Sequence, residues 1–167
     1  MPEMVDLFVY GTLKRGCANH RAFCRRAIRI RTAAIAGAIF DLPVGYPAVQ
    51  VPGDSILLEA GPDPVRDAGR QRLVRNPGAP GLEGEGREPV HGEWIRLPDP
   101  ARTLPALDAL EGVRADGRGE YRRALVPAST EEGPRALWVY WMPQLPPGAR
   151  HLPDGVWPAP MEPKGRP

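Results

Sequence analysis

Proline and glycine constrain this chain more than any other feature of its sequence. The 167 residues include 22 prolines and 19 glycines, well above average use. Because both residues interrupt helices and strands, the excess must lie in loops and tails. The length suits one domain with a proper core and is too short for two ordinary domains.

Two segments concentrate these residues. From Gly61 to Pro89, 11 of 29 residues are Gly or Pro and none is aromatic, so ordering this stretch would bury little apolar area. We therefore expect a charged surface insertion at 61–89, mobile or disordered, within a single domain spanning 1–142. Beyond Met142, eight prolines predict a tail at 143–167 without regular structure, in which Trp157 is a candidate anchor against the body.

The intervening sequence predicts five or six strands and two helices of modest length. Runs of apolar, β-branched and aromatic residues indicate strands at 5–10, 33–40, 46–51, 90–97, 121–127 and 136–142, the last two forming a hairpin. Gly37, in the middle of the second strand, indicates a bulge or a close backbone approach. This pattern is typical of an α+β domain whose strands curl toward a barrel.

The two helices have different start signals. Asn19 is a plausible N-cap for a helix that begins near His20. The second helix ends at Gly112, but its start is open: Asp99 could cap it with Pro100 in the first position, or Thr103 could cap a shorter helix.

Several function classes are disfavoured by composition. A net charge of +2 does not indicate a nucleic-acid-binding protein, and the two cysteines and three histidines have no metal-ligand spacing. Seven Lys or Arg residues between Lys14 and Arg31 could face phosphates, but without interleaved aromatic residues they are more typical of a solvated surface. The first residues lack the features of a signal peptide, and no apolar run reaches the roughly 18 residues of a membrane span, so we expect a cytoplasmic protein.

Three features of the sequence could carry chemistry. The loop from Tyr10 to Gly16 follows a buried strand, and its successive backbone N–H groups could form a nest for a carboxylate or an oxyanion, although many such loops are ordinary turns. Glu111 lies at the end of the second helix, where the helix dipole would favour its protonated form, although its position alone is more typical of a solvated residue of the last turn. The Tyr-Arg-Arg sequence at 121–123 could supply a phenol or a guanidinium, or simply pack at a sheet edge.

In chain order these pieces resemble the γ-glutamylcyclotransferase family, also seen in AIG2-like proteins. The resemblance runs from about Val5 to Met142, and its first motif is closest to the γ-glutamylamine cyclotransferase branch. The motifs are Leu-Phe-Val-Tyr-Gly-Thr-Leu-Lys-Arg-Gly at 7–16, Gly-Ala-Ile-Phe-Asp-Leu at 37–42, Tyr-Pro-Ala-Val at 46–49, Val-His-Gly-Glu-Trp at 90–94, Leu-Asp-Ala-Leu-Glu-Gly at 107–112, Tyr-Arg-Arg at 121–123 and Trp-Val-Tyr at 138–140.

The resemblance implies a small mixed β-barrel with flanking short helices and a cofactor-free, metal-free reaction. A γ-glutamyl amine or amide would give 5-oxoproline and a free amine, in a monomer or a homodimer. Glu111 would be the general acid/base. The substrate-binding residues would be Tyr10, Gly11, Thr12, Leu13, Tyr121 and Tyr140.

The insertion and the proline-rich tail depart from the family pattern, and either could cover the pocket. They leave the identity of the leaving amine open. The alternative function is a non-catalytic module that uses the same cavity to bind a small carboxylate or a partner protein.

Overall fold

The computed structural model describes residues 3–114, 116 and 119–158. Three helices lie in this part of the chain: α1 (His20–Phe23), α2 (Pro64–Leu73) and α3 (Pro100–Glu111). The strands are β1 (Met4–Val9), β2 (Arg29–Asp41), β3 (Pro47–Gln50), β4 (Leu58–Glu59), β5 (Glu88–Pro98), β6 (Arg122–Thr130), β7 (Gly133–Trp141) and β8 (Arg150–His151). No helix in these residues is long and apolar enough to cross a membrane.

Five strands close into a mixed barrel, which confirms the predicted α+β architecture. The order is β2-β5-β1-β7-β6, and β6 pairs again with β2 to complete the ring. The pairing of β1 with β7 is parallel, and the other four pairings in the ring are antiparallel. Strands β3 and β8 extend β2 beyond the ring, and β4 adds to β6.

Successive side chains on a strand point to opposite faces, and they form two separate layers of the hydrophobic core. On β1, Val5 and Leu7 belong to a cluster that also contains Leu104 and Leu107 of α3, so this layer lies between the barrel wall and the helices. Phe8 belongs to a second cluster, which contains no helical residue and therefore fills the barrel interior.

The close backbone approach predicted at Gly37 is confirmed. A Cβ atom at this position would lie 2.5 Å from the Gln50 carbonyl oxygen on the neighbouring strand β3. Any side chain at position 37 would therefore push β3 away from β2.

The helix predicted near Gly112 takes the longer of its two possible forms. It begins at Pro100 and continues through Pro105, and Gly112 ends it in the left-handed conformation at φ 69°. Asp99 precedes it without a side-chain capping bond, while the Thr103 hydroxyl donates to the Pro98 carbonyl at 2.8 Å. The helix buries Leu104 and Leu107 and so aims its C-terminal end at a fixed place on the barrel.

The expectation of a mobile or disordered segment at 61–89 is wrong for its first part. Asp63 caps α2 by accepting from the Val65 N–H at 3.0 Å, and the helix buries Asp67, Ala68 and Gln71. The segment does have few apolar residues, which is why disorder was expected. However, polar contacts largely hold α2 to the barrel in place of apolar packing. The Gln71 amide donates to the Asp6 carbonyl at 2.8 Å and to the Ala136 carbonyl at 2.9 Å.

The expectation that the prolines exclude regular structure after Met142 is also wrong at one place. Arg150 and His151 pair with β2, and Leu152 is buried beside them. The anchor predicted at Trp157 is confirmed, since its indole N–H donates to Asp41 Oδ1 at 3.0 Å. The last nine tail residues, 159–167, lie outside the described residues.

Candidate active site

The loop after β1 and the end of α3 meet in one cavity of about 320 Å³. The closed barrel brings them together, because the loop leaves the carboxyl end of β1 and α3 packs across the outer face of the same sheet. All seven residues predicted for the site line this cavity: Tyr10, Gly11, Thr12, Leu13, Glu111, Tyr121 and Tyr140.

The loop is fixed through its carbonyl groups. The Lys14 N–H donates to the Gly11 carbonyl at 3.0 Å, and the Asn19 N–H donates to the Thr12 carbonyl at 2.8 Å. The imidazole Nδ1 of His20 lies 2.8 Å from the Leu13 carbonyl oxygen. No hydrogen bond to another described residue uses the N–H of Gly11, Thr12 or Leu13. These donors are therefore available to a ligand.

Asn19 has a different role from the predicted one. Its side chain makes no capping bond to α1 and instead donates to the Thr12 hydroxyl at 2.8 Å. The amide thus stabilises the loop, and Asn19 itself lines the cavity.

Position 11 requires glycine, because there is no room for a side chain. A Cβ atom here would lie 2.7 Å from Pro47 Cγ, closer than carbon atoms pack. The Pro47 carbonyl accepts the Tyr121 hydroxyl at 2.6 Å, so a displaced Pro47 would also move one wall of the cavity.

Glu111 has the acid–base properties expected of a proton carrier. Burial raises the pKa of its carboxyl group from 4.5 to about 7. The helix dipole was the predicted cause, but burial is the cause found, because it removes hydration from the charged form. At neutral pH both protonation states are populated, as general acid/base catalysis requires.

The three tyrosines form walls and do not supply free protons. The Tyr10 hydroxyl donates to the Tyr140 carbonyl at 2.6 Å, and the Tyr140 hydroxyl donates to Asp108 Oδ1 at 2.7 Å. Burial raises the pKa of Tyr10, Tyr121 and Tyr140, so all three phenols remain protonated. Each hydroxyl proton has a protein acceptor, which leaves the rings to shape the cavity.

A buried ion network supports the helix that carries Glu111, and sequence reasoning missed it. Asp108, three residues before Glu111, accepts from Arg123 Nε at 2.9 Å and from its second terminal nitrogen at 3.1 Å. Arg123 also donates to Asp67 Oδ2 at 3.1 Å, which ties α2 to α3. Arg123 therefore lies buried inside the protein and does not line the cavity, which matches neither of its two predicted alternatives, a guanidinium in the site or a residue packed at a sheet edge.

Tyr46 and Glu120 also line the cavity and were not predicted as site residues. Tyr46 was noted only as part of a motif, and the single available signal for Glu120 was its position directly before Tyr121.

The basic residues that the structure describes lie outside the cavity lining. None of the described residues that line the cavity is Lys, Arg or His, and Arg29 is paired with Glu132 at 2.7 Å. The described residues also contain no group of three or more His, Cys, Asp or Glu side chains arranged to hold a metal ion.

Comparison with known proteins agrees with the family resemblance of the sequence motifs. The family model described as "Gamma-glutamyl cyclotransferase, AIG2-like" matches residues 7–63 and 55–159. The chain is 44% identical over 139 residues to the gamma-L-glutamyl-butirosin B gamma-glutamyl cyclotransferase of Niallia circulans. That alignment spans 82% of this chain and 66% of the relative, slightly less than two thirds of its length.

Solved structures share the fold. YkqA from Bacillus subtilis superposes with a TM-score of 0.55 at 18% identity, over 94% of this chain and 40% of that one. An AIG2-like protein from Mus musculus superposes with a TM-score of 0.54 at 20% identity, over 87% of this chain and 81% of that one.

Proposed function

Because the chain belongs to the γ-glutamyl cyclotransferase, AIG2-like family, we propose that it converts a γ-glutamyl amine or amide into 5-oxoproline and a free amine. In this reaction the α-amine of the substrate attacks its own γ-carbonyl carbon. A new C–N bond closes the five-membered ring, and the bond to the leaving nitrogen breaks. The α-amine loses a proton and the leaving nitrogen gains one.

The enzyme's first task in this proposal is to fold the substrate. Effective molarities for well-oriented intramolecular attack reach roughly 10⁵ M or more, so the site needs no protein nucleophile. The Tyr10, Tyr121 and Tyr140 rings would confine the γ-glutamyl chain in the bent geometry, since hydrogen bonds to the protein hold their hydroxyl groups in place.

Glu111 would carry the proton. Its ionised form takes the proton from the α-amine, and its protonated form delivers it to the leaving nitrogen. A pKa of about 7 makes both steps accessible at neutral pH. General acid/base catalysis of this kind contributes about 10²–10⁴ in rate.

The N–H groups of Gly11, Thr12 and Leu13 would bind negative charge on the substrate. They are candidates for holding the α-carboxylate or the oxyanion that develops on the γ-carbonyl. Their carbonyl groups are already bonded within the protein, so the loop presents donors without rearrangement.

One observation supports the proposal: Gly11, Thr12 and Leu13, whose N–H groups have no described partner, line the same cavity as Glu111, whose pKa burial raises to about 7. The test is release of 5-oxoproline from a panel of γ-glutamyl amines, amides and peptides. We expect turnover by the wild type, loss of turnover in Glu111→Gln, and full activity in Glu83→Gln, which makes the same change at an exposed position away from the cavity.

The alternative remains a non-catalytic module on the same fold. It predicts that 5-oxoproline or glutamate binds to both the wild type and Glu111→Gln, and that no compound in the panel is turned over. That combination would contradict the enzymatic proposal.

A further inference from the structure

The cavity contains a second carboxylate that the proposed reaction does not use. Glu120 lines the same cavity as Glu111, but its side chain is exposed to solvent at the edge. It makes no hydrogen bond or ion pair with another residue in the described part of the chain. A negative charge therefore lies at the cavity edge without a partner among the described residues.

Two aromatic rings lie beside this carboxylate. The centroids of Tyr46 and Tyr121 are 6.4 Å apart, with the rings tilted by 44°. Both tyrosines line the cavity together with Glu120, which directly precedes Tyr121 in the chain. Burial and then the charge of Glu120 raise the pKa of Tyr46. Because the Tyr121 hydroxyl donates to Pro47, this residue offers its ring to a ligand.

Tyrosine rings and a carboxylate attract the same kind of group. The face of an aromatic ring and a carboxylate oxygen both favour a cation, and an ammonium group can contact all of them together. The described lining of the cavity contains no Lys, Arg or His that would compensate Glu120. A substrate portion that ends in a carboxylate would instead face two acidic side chains.

We infer that the leaving amine of the substrate carries a second, positively charged amino group, which Glu120 binds against the rings of Tyr46 and Tyr121. This inference rests on the proposed function, since it concerns the part of the substrate that departs. The γ-glutamyl part lies toward Glu111 and the loop, and the cationic end lies toward the cavity edge.

The inference is tested with three γ-glutamyl amides of similar length, made from 1,5-diaminopentane, n-hexylamine and 6-aminohexanoic acid. Their far ends are an ammonium, a methyl and a carboxylate group. We expect the wild type to favour the diamine product over the neutral one by about 5- to 20-fold in kcat/KM, mainly through KM, as a partly exposed ion pair combined with cation–π contacts allows. The carboxylate substrate should be the poorest, and the preference should weaken as salt is raised.

Variants assign the preference to the proposed residues. Glu120→Gln should reduce the ratio of kcat/KM between the ammonium and methyl substrates to about 2 or less. Glu83→Gln should leave that ratio unchanged. Tyr46→Leu should lower the ratio and Tyr46→Phe should retain it, because phenylalanine keeps the aromatic face.

Equal turnover of the three substrates by the wild type, or an unchanged ratio in Glu120→Gln, would overturn the inference. Absence of 5-oxoproline from all three would overturn the proposed function instead. In that case, calorimetric binding of 1,5-diaminopentane still decides the inference: weaker binding to Glu120→Gln than to the wild type supports it, and equal or absent binding overturns it.

Discussion

Replacing Glu111 with glutamine should remove activity and stabilise the protein at the same time. The wild-type carboxyl group loses hydration when the chain folds, which raises its pKa from 4.5 to about 7. A raised acid pKa means that the folded state binds more protons than the unfolded state between these two values. Stability linked to Glu111 is therefore fully present below pH 4.5 and is lost as the pH rises through about 7.

The size of the effect follows from the shift. The interval between 4.5 and about 7, at 1.36 kcal/mol per unit, corresponds to about 3 kcal/mol, and solvent access through the cavity mouth reduces this to about 2 kcal/mol. Glutamine has nearly the same shape and no charge to desolvate. In a domain of this size, 2 kcal/mol raises Tm by about 4–8 °C.

The assay compares urea unfolding of the wild type and Glu111→Gln at pH 5 and pH 8.5. The two proteins should differ little at pH 5, and the variant should be more stable by about 2 kcal/mol at pH 8.5. The wild-type kcat/KM should rise about tenfold between pH 6 and pH 8, as the base form of Glu111 becomes populated. Glu83→Gln, an exposed control, should show neither effect.

The activity should have its midpoint near pH 7, whereas the stability difference should develop between pH 4.5 and about 7 and level off above that range, because one carboxyl group governs both. A stability difference that does not change with pH would refute the reasoning. So would a variant that is less stable at pH 8.5, since Glu111 would then contribute a favourable contact as an anion.

Three further changes have defined outcomes. Arg123→Met should cost about 3–5 kcal/mol in urea unfolding, because it removes the buried cation that Asp67 and Asp108 share and leaves Asp67 with only the partly exposed Arg70, and a loss under 1 kcal/mol would contradict the network. Gly11→Ala should cost about 1–3 kcal/mol and lower kcat/KM at least tenfold, because the new Cβ overlaps Pro47, whereas wild-type kinetics would show that the loop adapts without cost. Trp157→Phe should lower the unfolding free energy by about 1 kcal/mol through loss of its hydrogen bond, and an unchanged Tm would mean that the tail is not anchored there.

The strands of the barrel could be predicted because the signals for each strand lie within its own stretch of sequence. Each of its strands has a run of β-branched, aromatic or alternating residues that ends at a turn residue, and Gly37 marks the place where two strands approach closely. The hairpin of β6 and β7 follows from one polar turn. The loop and Glu111 were identified through the family motifs, and the structure adds that they share a cavity.

The parts that could not be predicted depend on contacts between distant residues. Gln71 bonds to Asp6, 65 residues away, and Arg123 bonds to Asp67, 56 residues away. The composition shows that the segment at 61–89 is polar, but it does not show that polar side chains such as Asp67 and Gln71 have buried partners. Glu120 was missed for a similar reason, because an isolated acidic residue becomes informative only when its neighbours across the cavity are known.

The Arg123 network makes the segment at 61–89 part of the support for the site. Arg123 and Asp67 are each 1% exposed, and Asp67 also accepts from the Gly61 N–H at 3.0 and 3.1 Å. Without α2, Arg123 would lose one of its two carboxylate partners while remaining inside the protein, which makes that arrangement costly. Since Asp108 of α3 also accepts from Tyr140, which lines the cavity, a shift of Arg123 would move α3 and the cavity wall together. The helix that composition alone would assign to a mobile insertion thus helps to fix the position of Glu111.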